Sequence, residues 1–397
     1  MGTSTFRKTK IKDLLEEKIS VEIKRGREYS FIPMENVESG AKFPRAIETK
    51  TFNGSGSKFS DGDTLFARIT PCLQNKKIIR VKELQNGVGF GSTEFFVFRA
   101  KNGRTDPDYL YYTTKLEDLI STAKLSMAGA SGRQRADINS IYDYEVCVPD
   151  FPIQTRIASV LSAYDDLIEN NEKRTKALEG MAQLLYAEWF VKFKFPRHQT
   201  VKMVDSDTRY GMIPEGWEVV KIDDILETVK RKTKLQTDEY QKTGLYPIID
   251  QGKDFIAGYT ENGDTVYKES IIVFGDHSRC FKYINFPFAC GADGTQLLKT
   301  NDSERMPQVL LFYSVVNAGL QNFNYARHFK FLKSLTIMKP DKTTARAFHE
   351  LTDQIFNQIK VLRQTNIIVG RLRELLIPQL VTGKREVKGY DQKNQKD

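Results

Sequence analysis

The feature that most constrains the fold of this chain is a duplicated segment. Residues 149–195 and 340–385 both begin with Pro-Asp, and they align without a gap at a shift of 191 residues. In both, largely apolar residues recur at alternating spacings of four and three through about four repeats, which is the heptad pattern of a long helix that packs along another. The predicted seam consists of Ile157, Leu161, Tyr164, Ile168, Leu178, Leu185, Phe348, Ile355, Ile359, Leu362, Val369 and Leu376. We predict long helices over 154–190 and 345–381, which pair antiparallel if a pseudo-twofold axis relates the repeats.

The segments that precede these helices also match, although more loosely. Lys10–Leu15 resembles Lys221–Leu226, and short β-rich runs follow in both halves, bounded by Gly, Asn and Asp. The sequence therefore predicts an α+β protein in which two similar modules alternate with two long helices that form an antiparallel coiled coil. The predicted boundaries are 1–148 for the first module, 149–195 for the first helix segment, 196–340 for the second module with a linker at 196–216, 341–385 for the second helix segment, and 386–397 for a polar tail.

Composition narrows the class of protein. A chain of 397 residues is longer than a single hydrophobic core usually supports, so two or three domains are expected. Its net charge of +9 favours polyanionic partners. The four cysteines show no CxxC spacing and the four histidines are scattered, so we expect no metal site and a reducing compartment. The sequence has neither an apolar signal core nor an apolar run of about 18 residues, so a cytoplasmic location is expected.

The sequence lacks the catalytic motifs of methyltransferases, nucleases and nucleotide-driven enzymes. Phe52–Gly56 matches the F-x-G-x-G string of adenine methyltransferases, but polar residues precede it and no N/D-P-P-Y/F tetrad exists, so a surface turn is the better interpretation. No Pro-Asp pair is followed closely by a (D/E)-x-K, and no GxxxxGK[ST] is present. We therefore expect a chain without a cofactor and without a catalytic centre of its own.

Several strings, taken in order, resemble those of one family. They are Phe66-Ala67-Arg68-Ile69-Thr70-Pro71, the run 89–95 (GFGSTEF), Gly132-Arg133-Gln134-Arg135, the run 184–196 (LLYAEWFVKFKFP) and the run 213–219 (IPEGWEV). Over nearly its whole length, the chain resembles the DNA specificity subunits of Type I restriction–modification systems. The resemblance implies two target-recognition domains that each read half of a split site in double-stranded DNA, and two conserved helices that set the gap. The implied partners are two methylation subunits and, in the full complex, ATP-driven restriction subunits.

The candidate DNA contacts are loop residues that combine cations with small polar side chains, because phosphates need cations and base edges need Arg, Asn or Gln. In the first module they are Arg68, Asn75, Lys76, Lys77, Ser92, Thr93, Ser131, Arg133, Gln134 and Arg135. In the second module they are His277, Ser278, Arg279, Tyr325, Arg327, His328 and Lys330. Trp189 and Phe190 are expected to pack where the first helix meets a module.

Two other kinds of protein remain as alternatives. One is an enzyme in which these modules serve an attached nuclease or methyltransferase, although neither motif set occurs in this chain. The other is an architectural or scaffold DNA-binding protein without sequence specificity, in which the long helices only mediate association. Selection from random duplexes discriminates between them, because a specificity subunit should enrich a split motif.

Overall fold

The computed structural model describes residues 6–130, 132–291, 294–321 and 327–387. The chain forms two compact units. The first contains the residues up to Asn171 together with those from Thr365, and the second contains Glu172–Gln364. Each unit therefore holds one α+β module and part of both long helices. Among the described residues, none of the helices has the length and apolar character needed to cross a membrane.

The first module contains a two-stranded ribbon, a four-stranded sheet and a three-stranded sheet. The ribbon is β1–β9, the four-stranded sheet has the order β3-β2-β7-β4, and the three-stranded sheet has the order β6-β5-β8. Only the β2–β7 pair of these sheets is parallel. The strands are β1 (Arg7–Lys10), β2 (Glu28–Ile32), β3 (Glu48–Thr51), β4 (Ser57–Ser60), β5 (Thr64–Ala67), β6 (Ile78–Arg80), β7 (Val88–Gly91), β8 (Phe95–Phe98) and β9 (Glu145–Val148). The helices are α1 (Pro107–Thr114), α2 (Glu117–Leu125) and α3 (Ile138–Tyr142).

The second module repeats this topology. After a hairpin of β10 and β11, it has the ribbon β12–β20, the sheet β14-β13-β18-β15 with a parallel β13–β18 pair, and the sheet β17-β16-β19. The strands are β10 (Met203–Asp205), β11 (Met212–Pro214), β12 (Glu218–Lys221), β13 (Tyr246–Ile249), β14 (Gly258–Thr260), β15 (Val266–Tyr267), β16 (Ile271–Gly275), β17 (Phe281–Ile284), β18 (Phe288–Cys290), β19 (Thr295–Leu298) and β20 (Thr336–Lys339). The internal repeat expected from the sequence is confirmed strand by strand.

The central strand of each three-stranded sheet is buried on both faces. In β5, Phe66 packs in the core that contains the long helices, while Leu65 packs in an outer core with Phe59 and Ile79. In β16, Ile272 and Phe274 face the helix-side core, and Ile271 and Val273 face the outer core. Because successive side chains of a strand point to opposite faces, a strand between two cores is apolar at nearly every position.

The two long helices predicted from the heptads are present. The first, α4, spans Phe151–Tyr186 and ends in a π-helical turn at Ala187–Val191. Two shorter helices, α5 (Gln308–Val316) and α6 (Phe329–Ser334), precede the second long helix, α7 (Lys342–Val381). In the first unit the beginning of α4 packs on the end of α7, as Ile157 and Leu161 share a core with Ile377. In the second unit the end of α4 packs on the beginning of α7, as Ala182 shares a core with Phe348 and Ile359. The helices are therefore antiparallel.

All the predicted seam residues are buried or half-buried. The polar residues that interrupt the seam also have partners: Arg373 pairs with Asp165, and both side chains are almost fully buried. Trp189 and Phe190 pack in the second unit against Phe348, with ring centroids 6.0 and 5.0 Å from it, as expected from the sequence.

The modules attach to the helices by different chemistry. In the first unit, Lys42 donates to Ser162 of α4 at 2.7 Å and pairs with Asp108 at 2.9 Å, and Tyr112 donates to Asp165. In the second unit the equivalent junction is aromatic, built from Tyr186, Phe190, Trp217, Tyr313 and Phe348. Buried polar pairs require matched geometry, whereas aromatic packing gains mainly from the area removed from water.

Candidate nucleic-acid interface

Three loops of the first module meet at the end of β5. The Arg68 amide donates to the Glu94 carbonyl at 3.0 Å, and the Arg68 carbonyl accepts from the Ala136 amide at 2.8 Å. The Thr70 amide donates to the Gln134 carbonyl at 3.0 Å. Backbone hydrogen bonds thus join the segments around Arg68, Ser92–Glu94 and Arg133–Arg135, which are separated in the sequence.

Glu94 is the centre of this cluster. Its carboxylate lies 2.6 Å from Nη2 of Arg135 and 3.2 Å from Nε of Arg68. The hydrogen bond from Arg135, together with that from Arg68, lowers the pKa of Glu94, so the carboxylate stays charged and fixes both guanidinium groups. The Arg135 side chain is still 47% exposed, which leaves guanidinium N–H groups available to a ligand.

Hydrogen bonds also fix the loops that carry the other candidates. Ser92 accepts from the Glu94 amide through Oγ at 3.2 Å, and Thr93 beside it is exposed. Arg133 is exposed next to Gly132, whose positive φ of 77° is a conformation that favours glycine. An added Cβ at Gly132 would meet nothing within 4 Å, so glycine is required here by the turn conformation and not by close packing within the protein.

In the turn after β5, two of the predicted DNA-contacting side chains bind to other parts of the protein. Lys76 pairs with Glu117 of α2, and Lys77 donates to the carbonyl of Met34 at 2.9 Å. Asn75 is exposed. Both ammonium groups are therefore engaged by the protein, in contrast to Arg133.

The second module has the same backbone arrangement at the end of β16. Here Asp276 takes the place of Arg68. Its amide donates to the Gly294 carbonyl at 2.7 Å, which corresponds to the bond from Arg68 to Glu94. Its carbonyl accepts from the His328 amide at 3.1 Å, which corresponds to the bond from Ala136 to Arg68. His277, Ser278 and Arg279 form the turn that follows. His277 and Ser278 are exposed, and so are Arg327 and Lys330 on the facing segment.

The structure corrects the interpretation of His328. Its side chain is only 3% exposed, and its Nδ1 lies 2.9 Å from the Asp276 carbonyl. It therefore positions the segment that holds Arg327 and Lys330, and its side chain is not exposed to a ligand. Two further candidates, Ser131 and Tyr325, lie outside the described residues.

Glu94 and Asp276 were not predicted from the sequence as site residues, because DNA contacts are expected from cations and amides and not from carboxylates. The carboxylate of Asp276 accepts from the Phe329 amide at 2.7 Å, so each acidic residue organises one cluster. The signal that could have found Asp276 is its alignment with Arg68, since both follow the central strand of the repeated sheet. Within the described parts of the chain, no group of three or more His, Cys, Asp or Glu side chains could hold a metal ion.

Comparisons with known proteins agree with this architecture. The chain is 26% identical over 305 residues to the Type I restriction enzyme MjaIX specificity subunit of Methanocaldococcus jannaschii, covering 70% of this chain and 69% of that protein. It is 24% identical over 335 residues to the MjaVIII specificity subunit of the same organism, covering 76% of each. The fold is similar to the crystal structure of the Type-I restriction-modification system S subunit from M. genitalium, with a TM-score of 0.54, 13% identity and coverage of 96% of this chain and 97% of that one.

A family model described as Type I restriction modification DNA specificity domain matches twice, at residues 5–180 and 214–367. The two matches correspond to the two repeats seen in the sequence and in the sheet topology. The chain belongs to the Type I restriction modification DNA specificity domain family.

Proposed function

We propose that this chain recognises a bipartite sequence in double-stranded DNA and thereby directs the methylation and restriction subunits of a Type I restriction–modification complex. In this proposal, residues 1–148 and 196–340 are the two target-recognition domains. The observation that carries it is the repeated backbone frame at the ends of β5 and β16, which bears different side chains in the two modules. One scaffold that presents two different loop clusters suits the reading of two different half-sites.

The chemistry of the first cluster supports base reading. A carboxylate that fixes an arginine leaves a rigid, planar donor group, and Arg is the residue that pairs bidentately with guanine O6 and N7. Arg135 is held in this way by Glu94, while Arg133 on the same turn is exposed. Asn75 and Thr93 add exposed polar groups on neighbouring loops.

The outer faces of the long helices support docking of the methylation subunits. Large apolar side chains on these helices remain exposed, which is uncommon unless a partner covers them. In the second unit they are Met181, Leu184, Leu351 and Val361, and in the first unit they are Phe151, Leu167, Ile368, Leu372 and Leu375. Leu375 is 69% exposed and Leu184 is 67% exposed.

We further propose that the chain itself is not catalytic. The polar residues around Phe52–Gly56 and the lack of methyltransferase, nuclease and nucleotide-binding motifs in the sequence support this. Pure chain incubated with a labelled methyl donor and DNA should give neither methylation nor cleavage. Turnover that persists through a second, independent purification would contradict this part of the proposal.

Selection from random-sequence duplexes tests the main proposal. The chain, purified with its methylation subunits, should enrich two short specific motifs separated by an unspecified spacer of constant length. Enrichment of one uninterrupted motif would contradict bipartite reading. Binding without any enrichment would favour the architectural alternative.

A further inference from the structure

The two modules carry side chains of opposite charge at the residue that follows the central strand of the three-stranded sheet. Arg68 follows β5 in the first module, and Asp276 follows β16 in the second, with equivalent backbone hydrogen bonds. The Asp276 side chain is buried and accepts from the Phe329 amide. A DNA-binding surface needs cations to neutralise phosphates, so the second module must take part of its positive charge from another segment.

The segment Lys230–Lys234 supplies such charge. It holds four cations in five residues, Lys230, Arg231, Lys232 and Lys234, and none of these was selected as a DNA contact from the sequence. We call it the basic segment. Lys230 and Arg231 are exposed.

The first module also carries cations in the segment that follows the equivalent point of the chain. The Glu227 amide donates to the Lys299 carbonyl, and the Glu16 amide donates equivalently to the Arg99 carbonyl, both at 2.9 Å. Counting onward from Glu16 without a gap, the residues that correspond to the basic segment are 19–23, Ile-Ser-Val-Glu-Ile, and the exposed cations Lys24, Arg25 and Arg27 come directly after them. Both modules therefore place exposed cations between their first ribbon strand and their four-stranded sheet, although at different distances from the equivalent glutamates.

Hydrogen bonds hold the basic segment against the sheet. Nζ of Lys232 donates to the Val266 carbonyl at 2.6 Å, and the Lys232 amide donates to the Tyr267 hydroxyl at 2.8 Å. Nζ of Lys234 donates to the Thr295 carbonyl at 3.1 Å. Lys232 and Lys234 thus anchor the segment, and Lys230 and Arg231 are the cations left at its exposed end.

The same segment is connected to the candidate interface. Nη2 of Arg231 donates to Oε1 of Gln296 at 2.6 Å, and Nε2 of Gln296 donates to Asp276 at 3.5 Å. Arg231, Gln296 and Phe329 also line one cleft of about 190 Å³. Arg231 therefore lies on the surface that carries the His277–Arg279 turn and the segment before α6.

We propose that Lys230 and Arg231 bind DNA phosphates at the half-site read by the second module. This inference rests on the proposed function, because it assigns a contact within that DNA-binding surface. Lys230 and Arg231 contribute affinity and position the module on the duplex, whereas base contacts are left to the 277–279 turn and Arg327.

The test compares the double variant Lys230→Ala/Arg231→Ala with wild type in DNA binding over a range of salt concentrations. Each lost phosphate contact lowers the slope of log affinity against log salt by about 0.9, which is roughly a fivefold loss of affinity at physiological salt. We expect the double variant to bind roughly 30-fold more weakly, with the half-site letters unchanged in a selection. Arg231→Lys should stay close to wild type, since Lys also binds phosphate as a point charge.

The matched control is Lys384→Ala/Arg385→Ala, which removes the same exposed dipeptide after α7. It should leave the salt slope within about 0.5 of wild type, whereas an equal loss in the control would overturn the assignment. An unchanged slope in the Lys230→Ala/Arg231→Ala variant would also overturn it, as would altered letters in one half-site, which would indicate base reading. Salt dependence is measured on random-sequence duplexes too, so the phosphate contact is tested even if wild type enriches no split motif and the proposed function fails.

Discussion

Asn171 of α4 donates through Nδ2 to Oδ1 of Asn366 of α7, at a distance of 2.8 Å. Asn366 in turn donates to the carbonyl of Ile168 at 3.1 Å, and Asn171 is only 2% exposed. The two amides thus satisfy each other inside a mainly apolar helix seam. A shift of the helices by one turn would bury both against apolar groups, so the pair fixes the register.

Replacement of one member of this pair should cost more than replacement of both. Asn171→Leu leaves a buried amide oxygen of Asn366 without its donor, and we expect a loss of about 1–3 kcal/mol in the free energy of unfolding. The double variant Asn171→Leu/Asn366→Leu should recover most of this loss, because apolar groups then meet apolar groups. Urea unfolding of wild type, Asn171→Leu, Asn366→Leu and the double variant measures the coupling, and simple additivity of the two single losses would refute it.

Arg135→Ala should weaken specific binding by about 1–3 kcal/mol and relax the letters of one half-site if Arg135 contacts a base. Glu94→Gln should have a smaller effect on the same half-site, because Arg135 would keep its charge and lose its fixed orientation. The measurement is a selection followed by competition binding. Arg346→Ala, which removes an arginine paired with Glu350 at an exposed site on α7, is the control and should leave both half-sites unchanged. A uniform loss across sequences would mark Arg135 as a phosphate contact instead.

Lys115 should make stability depend on pH. Burial lowers the pKa of Lys115 to about 8 from 10.5, although Glu374 lies 3.8 Å away and opposes the shift. Between these values the unfolded chain binds more protons than the folded chain, so the contribution of Lys115 to stability rises with pH. Below the pKa of Lys115 in the folded state, its buried ammonium group lowers the free energy of unfolding by an amount that does not change with pH.

The check is the difference between Lys115→Met and wild type in the free energy of unfolding at several pH values. The stability of the variant relative to wild type should fall by about 3 kcal/mol between pH 8 and 10.5, because wild type alone gains over this range. Subtraction removes the titration of the groups that both proteins share. A difference that does not change with pH would mean that Lys115 is not buried as a charged group.

The long helices should set the spacing between half-sites. A seven-residue insertion between Asn171 and Glu172, matched by one between Gln364 and Thr365, keeps the heptad seam in phase and lengthens each helix by about 10 Å. The unspecified spacer should then grow by about three base pairs while the letters of both half-sites stay the same. Selection on this variant measures the spacer directly. A spacer of unchanged length would show that the helices do not determine it.

The sequence by itself determined the repeat, the helices and the class of protein. Heptad spacing follows directly from helix geometry, so Ile157, Leu161, Phe348 and Ile359 could be assigned to a seam without any structure. Short β-rich runs such as Ser270–Phe274 also predicted strands, and the observed strand there is Ile271–Gly275.

Only the tertiary structure decided how the candidate site is assembled. Arg68, Glu94 and Arg135 meet because β5 pairs with β8 and Arg135 pairs with Ile69 just beyond the end of β5, and such long-range pairing leaves no local signal in the sequence. The burial of His328 and the pairing of Lys76 and Lys77 with the protein likewise depend on neighbours distant in the chain. The sequence shows which side chains have the chemistry to bind DNA. Which of them reach solvent depends on the packing of the whole module, because burial and hydrogen bonding are properties of the folded chain.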